Sequence, residues 1–394
     1  MSSPNLIPEA PELPPSTLAE TTPPAVINPG AEDPPWSGLD LLIIGLVFVV
    51  ALFFFSLAFL GVAAEGKHGI SASELGKSQS PLVIVPTMTL AYGAMLIAMY
   101  VLVTRHRRLR FWPTVGWRWP EATWQLACLA GGGVLAIGLG LLSQLLPIPK
   151  SMPMDQFFRD AQGAYLMAFF GVAIAPLAEE MLFRGFLYPV LDRWLQTLFM
   201  VRQQVLQGGL WMLLLAMWGN LEHRLPVQWS VLLALVALLA AGALFVARSV
   251  VRGGLRAQAG LLPGVTFFVW GIASSALSHR GSIVATGALL VIGLALTLLA
   301  LVGKLSPDTA SWAGRFLAVT ITAVAFALVH SEQLGRAWAP LMVLLVVGLV
   351  LTITRAVSRS VAPGFLIHVG YNLTLFLSLY TLTDHFRHLE RFAE

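Results

Sequence analysis

The chain has 394 residues, of which 57% are hydrophobic and only 11% charged, with a mean hydropathy of +0.78 and a formal net charge of +4. Soluble domains carry about a quarter charged residues, so this composition excludes an ordinary soluble enzyme and points to an all-α, polytopic membrane protein. The 24 Lys and Arg residues are spread over many short loops, as topology signals are, which argues against nucleic acid as a partner. The single cysteine, Cys128, excludes an intrachain disulfide and any multi-thiolate metal site.

Residues 1–37 hold ten prolines, five acids and no lysine or arginine, which predicts a disordered cytoplasmic tail and no signal peptide. Apolar helices are expected over about 39–64, 81–104 and 122–146. The second is followed by Arg105-His-Arg-Arg-Leu-Arg110, the densest basic loop, which the positive-inside rule makes cytoplasmic. Trp112, Trp117, Trp119 and Trp124 fit an interfacial belt beside it. Gly131, Gly132, Gly133, Gly138 and Gly140 give the third helix a smooth face for close packing. A proline-bearing loop at 147–162 leads to a helix from about Ala164 that returns toward the cytoplasm. Further apolar runs lie at roughly 205–219, 227–247, 261–278 and 282–303, and three more at about 312–331, 337–355 and 361–382, giving ten or eleven spans.

One apolar helix contains Ala175-Pro-Leu-Ala-Glu-Glu-Met-Leu-Phe-Arg184. An ionised side chain at the bilayer centre costs at least about 2.5–3.5 kcal/mol, so it faces a partner or a water-filled cavity and marks a functional site by default. Glu180 and Arg184 are four apart, on one helix face, with the acid first, the better order for an ion pair. Glu179 is rotated about 100° away by the helical pitch and needs another partner. Of the few other ionisable or amide residues inside expected spans, those that stand out are His330, at the end of Phe326-Ala-Leu-Val-His330, and His368 and Asn372, four apart in the last helix. A carboxylate, two imidazoles and an amide converging in a membrane cavity suit either of two chemistries. One is general-base hydrolysis with oxyanion donors; the other is a divalent metal that activates water.

Taken singly, each has a plain structural reading: an in-helix ion pair for Glu180 and Arg184, a proton relay for Glu179, a core histidine for His330, an interhelix bond for His368 and Asn372. Glu222, His223 and Arg224, with His279 and Arg280, read as solvated turns, and Asp384, His385, His388 and Glu390 as a wet C-terminal tail.

Glu179-Glu180-x-x-x-Arg184, Phe326-x-x-x-His330 and His368-x-x-x-Asn372, in that order, resemble the three motifs of the CAAX-protease and bacteriocin-processing (Abi) family of intramembrane endopeptidases, which includes CAAX prenyl protease 2. Phe183-Arg-Gly-Phe-Leu-Tyr188 and Ser358-Arg-Ser-Val-Ala-Pro-Gly-Phe-Leu-Ile-His368 resemble the flanks of its first and third motifs. The resemblance implies that Glu179 activates water with help from His330, that Glu180 orients Arg184, and that His368 and Asn372 stabilise the oxyanion. It also implies a membrane-associated peptide substrate, prenylated or simply hydrophobic, in a multi-pass protein of a bacterial cytoplasmic membrane. Family members are often filed as metalloproteases. A metal such as zinc would fall to Glu179, His330 and His368, but these lack the His-Glu-x-x-His spacing of zincins, which favours a metal-free reaction. An inert scaffold or regulator, or a proton-coupled carrier using Glu179 as its relay, are the alternatives from other classes.

The implied organisation is a tail at 1–37, N-terminal helices at 38–160, a catalytic core at 161–200 and 306–382, an inserted block at 201–305 and a tail at 383–394. Arg184 and Phe326 are 142 residues apart (326 − 184), wider than the family's usual spacing. The expected edges leave a mismatch in depth. His330 lies about 14 residues in from Phe316 and His368 about 7 in from Val361, a gap of roughly 10 Å at 1.5 Å per residue. Starting the last helix near Arg355, or the histidine helix near Thr320, would close it.

Overall fold

The computed structural model describes residues 33–65, 81–149, 151–158, 160–200, 202–222, 285–287, 289–295, 298 and 306–388. Among them all regular structure is helical. We number the principal helices α1 (Gly38–Glu65), α2 (Pro81–Val101, extended by the π-helical turn Leu102–His106) and α3 (Ala122–Ser143). The long α4 is assembled from Ala161–Phe169, Phe170–Ile174, Ala175–Glu180, Met181–Leu187 and Tyr188–Met200. The remainder are α5 (Arg202–Glu222), α6 (Pro307–Leu328), α7 (Trp338–Ser358) and α8 (Val361–Leu382).

Seven of the described helices, α1 to α4 and α6 to α8, are long and apolar enough to cross a membrane. Large apolar side chains such as Phe53, Leu126, Val134 and Ile97 stand exposed on them, as hydrocarbon solvent allows. The protein is multi-pass. The ten or eleven expected spans are not reached among the described residues, because the apolar parts of α5 and of the following helix, Gly209–Gly219 and Ala285–Ala295, are too short to cross about 30 Å of hydrocarbon. The runs at 227–247 and 261–278 lie outside the described residues, as do His223, Arg224, His279, Arg280, Glu390 and residues 1–32. Glu222, expected in a turn, is the last residue of α5.

Local chemistry sets the helix starts. Asp160 caps α4 by accepting from Gly163 N at 2.7 Å, and Ser306 caps α6 by accepting from Thr309 N, with Pro307 at the first helical position, where a missing N–H costs nothing. At the start of α8 the chain is pinned to the 116–118 turn: Val361 N donates to Gly116 O, and Ser360 Oγ donates to Arg118 O at 2.7 Å. Trp36 and its neighbours, the last residues of the presumed tail, are packed on α4. The Trp36 indole stacks on Phe186 at 4.3 Å and donates to Phe186 O, and Asp33 pairs with Arg193.

The depth mismatch closes in a way the edges did not anticipate. α8 does begin at Val361, while α6 begins at Pro307, earlier than expected. The two helices start at different levels, because the first turns of α6 run alongside the Tyr188–Met200 end of α4. There Gly314 lies flat on Gln196, Ser311 Oγ donates to Gln196 Oε1 at 2.9 Å, and Asp192 takes Gln196 Nε2 and Arg315.

α8 packs chiefly on α3, through glycine. A methyl group on Gly132 would fall on the carbonyl oxygen of Ile367, and one on Gly370 on the carbonyl oxygen of Leu129, so the backbones themselves are in contact. Of the five α3 glycines expected to pack, Gly132 and Gly133 do; Gly131, Gly138 and Gly140 have no neighbour within 4 Å among the described residues. Gly132→Ala is therefore expected to cost about 1–3 kcal/mol by overpacking, and Gly131→Ala to stay within about 0.5 kcal/mol of wild type. Thermal melts of the two variants in detergent check this, and equal melting temperatures would contradict the seam.

Candidate active site

The site is built on an irregularity of α4. Pro176 cannot donate to the helical ladder, and its ring crowds the carbonyl four residues back, which an unbroken α-helix does not accommodate. The turn before it, Phe170–Ile174, is π-helical, a wider turn that absorbs the defect, and after one α-helical turn, Ala175–Glu180, the chain widens again over Met181–Leu187. Both glutamates end the single α-turn between two bulges.

Glu180 and Arg184 are fully buried and form the expected pair, Nη1 to Oε1 at 2.9 Å. Two further donors of the guanidinium reach α7: Nε donates to Thr352 Oγ1 at 3.2 Å and Nη2 to Gly348 O at 3.1 Å, with the Phe326 ring 4.5 Å from Cζ. Arg355 Nε in turn donates to Arg184 O. Glu180 Oε1 also faces His368 Nδ1 at 3.0 Å, so one oxygen serves both the guanidinium and the imidazole. The other, Oε2, is buried without a hydrogen-bond partner and lies against Gly364, where a Cβ would sit 3.1 Å away.

Glu179 looks into a different neighbourhood, as its rotation required. Tyr92 of α2 donates its hydroxyl to Glu179 Oε1 at 3.1 Å, its ring held by stacking on Phe48 and Phe170. His330 Nε2 is 3.8 Å from Oε1 and His368 Nε2 3.9 Å from Oε2. Phe326 stands between the two imidazoles, 5.0 Å from His330 and 5.7 Å from His368.

Tautomers follow from the partners. His330 Nδ1 is 2.8 Å from Phe326 O, which can only accept, so Nδ1 carries the proton and Nε2 of the neutral ring presents a lone pair to the Glu179 side. His368 Nδ1, against the Glu180 carboxylate, is likewise the protonated nitrogen. These assignments come from the hydrogen-bond network. Asn372 sits one turn beyond His368 and donates Nδ2 to Gly171 O, at the first bulge of α4, at 2.6 Å. That leaves it one amide hydrogen.

Of the six candidates, Glu179, Glu180, Arg184, His330 and His368 are thus in one cluster, with Asn372 at its edge. Among the described residues no group of three or more His, Cys, Asp or Glu side chains is arranged to hold a metal ion, and the Glu179, His330 and His368 set does not meet that arrangement. Asp384 and His385 bond each other at the surface. Sequence reasoning missed Tyr92, Thr352, Arg355 and Gly364. A buried phenol in α2 and a buried arginine one turn from Thr352 were visible as polar groups in apolar helices, whereas Gly364 carried no signal beyond its place in the motif flank.

A family model described as Rce1-like, type II CAAX prenyl endopeptidase, matches residues 298–374. This segment is Rce1-like. The match agrees with the resemblance carried by the second and third motifs, which lie inside it, and it is to a family of proteases. The Rce1-like segment contains His330, Thr352, Arg355, Gly364, His368 and Asn372; Glu179, Glu180 and Arg184 lie outside it, on α4. Its likeness suggests a CAAX-protease-type intramembrane peptidase. No curated protein and no solved structure matches the chain.

Removing one member of a fully buried ion pair leaves an uncompensated charge, so Arg184→Ala is expected to cost about 3–5 kcal/mol. Arg184→Lys is also expected to lower stability, since a point charge cannot serve the Glu180, Thr352 and Gly348 acceptors together. The check is the melting temperature and monodispersity of each variant in detergent. Wild-type behaviour of Arg184→Ala would remove the pair from the framework.

Proposed function

We propose that the protein is an intramembrane endopeptidase that hydrolyses a peptide bond of a membrane-associated or lipidated peptide with water activated by Glu179. The observation that carries this reading is the convergence of Tyr92 of α2, His330 of the turn that follows α6, and His368 of α8 on the carboxylate of Glu179. A gap of 3.8 Å between His330 Nε2 and Glu179 Oε1 is too long for a direct hydrogen bond and short enough for one water to bond both groups. The carboxylate takes a proton from that water as its oxygen adds to the scissile carbonyl carbon. The oxygen of the resulting tetrahedral intermediate is met by His368 Nε2, which donates when the ring is protonated, and by the free amide hydrogen of Asn372. Return of that proton from Glu179 to the leaving nitrogen then lets the C–N bond break as the carbonyl re-forms. Glu180 acts through His368, holding Nδ1 so that Nε2 points at the cavity, as carboxylates do behind catalytic histidines. Tyr92 fixes which oxygen of Glu179 meets the water. The substrate reaches the site from the bilayer, which favours a hydrophobic or prenylated peptide. Any metal would be held by Glu179, His330 and His368, and the donor geometry gives this no support.

The test is cleavage of a quenched peptide library, including farnesylated Cys-a-a-X peptides, by purified protein with and without chelator. Glu179→Ala and His330→Ala are each expected to lower the rate by about 10²–10⁴. Tyr92→Phe is expected to lower kcat with little change in KM. A wild-type rate in Glu179→Ala would overturn the reading. Activity abolished by chelator would transfer the three residues to a metal.

A further inference from the structure

A second feature lies on the far side of the catalytic turn. Leu177 and Met181 are two residues either side of Glu179, rotated roughly 200° from it at 100° per residue, so they occupy the back of α4. Together with Leu96, Ile97 and Tyr100 of α2 and with Phe111 and Trp112 they line an apolar groove of about 240 Å³. Met181 and Phe111 are its buried floor, and Ile97, Tyr100 and Trp112 its exposed rim. No Asp, Glu, Lys, Arg or His lines it, and it lies between two membrane-spanning helices, which suits an acyl chain from the bilayer.

The end of the groove is strongly basic. Phe111 and Trp112 directly follow Arg105-His-Arg-Arg-Leu-Arg110, in which Arg105, Arg108 and Arg110 are exposed. Arg107 is committed to Asp40 at 2.9 Å, while no carboxylate among the described residues pairs with Arg108 or Arg110. Arg108 is held with φ at 57°, in the left-handed turn that ends the π-helical extension of α2. An apolar slot whose Phe111 and Trp112 directly follow two exposed arginines that pair with no carboxylate among the described residues, with a tyrosine and a tryptophan on its rim, complements one amphiphile. We infer that this groove is a binding site for an anionic phospholipid, its chain against Leu177 and Met181 and its phosphate on Arg108 and Arg110. The bound chain then backs the helical turn whose other face presents Glu179. The site does not depend on the peptidase reading, and its test uses no peptidase activity.

The test is native mass spectrometry of the full-length protein released from detergent micelles carrying equal phosphatidylglycerol and phosphatidylcholine. Wild type is expected to retain one phosphatidylglycerol in preference to phosphatidylcholine. Juxtamembrane basic residues strengthen anionic lipid binding by about fivefold each, so R108Q/R110Q is expected to reduce the preference by roughly 25-fold. Ile97→Trp, at an exposed rim position, fills the slot and is expected to abolish retention of both lipids. Circular dichroism confirms that each variant is folded, and Arg108→Lys with Arg110→Lys, which keeps the charge, is expected to restore most of the preference. Retention of the two lipids in equal amounts by wild type, or an unchanged preference in R108Q/R110Q, overturns the site.

Discussion

A guanidinium with no exposed surface organises this protein. In hydrocarbon the Arg184 charge survives only if its donors are met, and they are met from two directions: by Glu180 in its own helix and by Thr352 and the Gly348 carbonyl on α7. Those bonds fix the rotation of α4 relative to α7. Because Glu180 Oε1 is shared with His368, they also set where the imidazole of α8 can sit. Four helices, α4, α6, α7 and α8, are thereby located by one ion pair and the aromatic ring of Phe326 packed over it.

Glu179 is usable because Glu180 is not. Adjacent residues on a helix face different ways, so one carboxylate neutralises the framework while the next looks into the cavity. The bulges on either side of the Ala175–Glu180 turn permit this within a continuous span. Widened turns alter the register of α4 without ending it, so the acid pair stays in the bundle while the helix carries on past the membrane to meet the first turns of α6.

Much of this was legible in the sequence, since apolar runs and isolated charges are strong signals in lipid. The ion pair and the separate orientation of Glu179 follow from spacing, whereas the joint placement of His330 and His368 was implied by the family resemblance, since the expected helix edges left the two at different depths. Three things were not legible. Helix depth depends on where each helix starts along its neighbours, and α6 starts beside the Tyr188–Met200 end of α4, where Asp192 and Gln196 meet it. Tyr92 becomes significant only once α2 is known to lie beside α4. The block at 201–305 alternates apolar runs with short polar stretches, and periodicity does not separate short helices from spans.

The glycine seam between α3 and α8 has a further consequence, for the sequences that can encode this bundle. At an ordinary core contact, a larger side chain on one helix is matched by a smaller one opposite, and a lineage can drift through such paired exchanges. Here the atoms facing Gly132 and Gly370 are carbonyl and amide groups of the opposing backbone, which every residue possesses. No exchange on the facing helix makes room, so these two positions have no compensating partner, and the helix that carries His368 is held to α3 by a contact that admits no substitute.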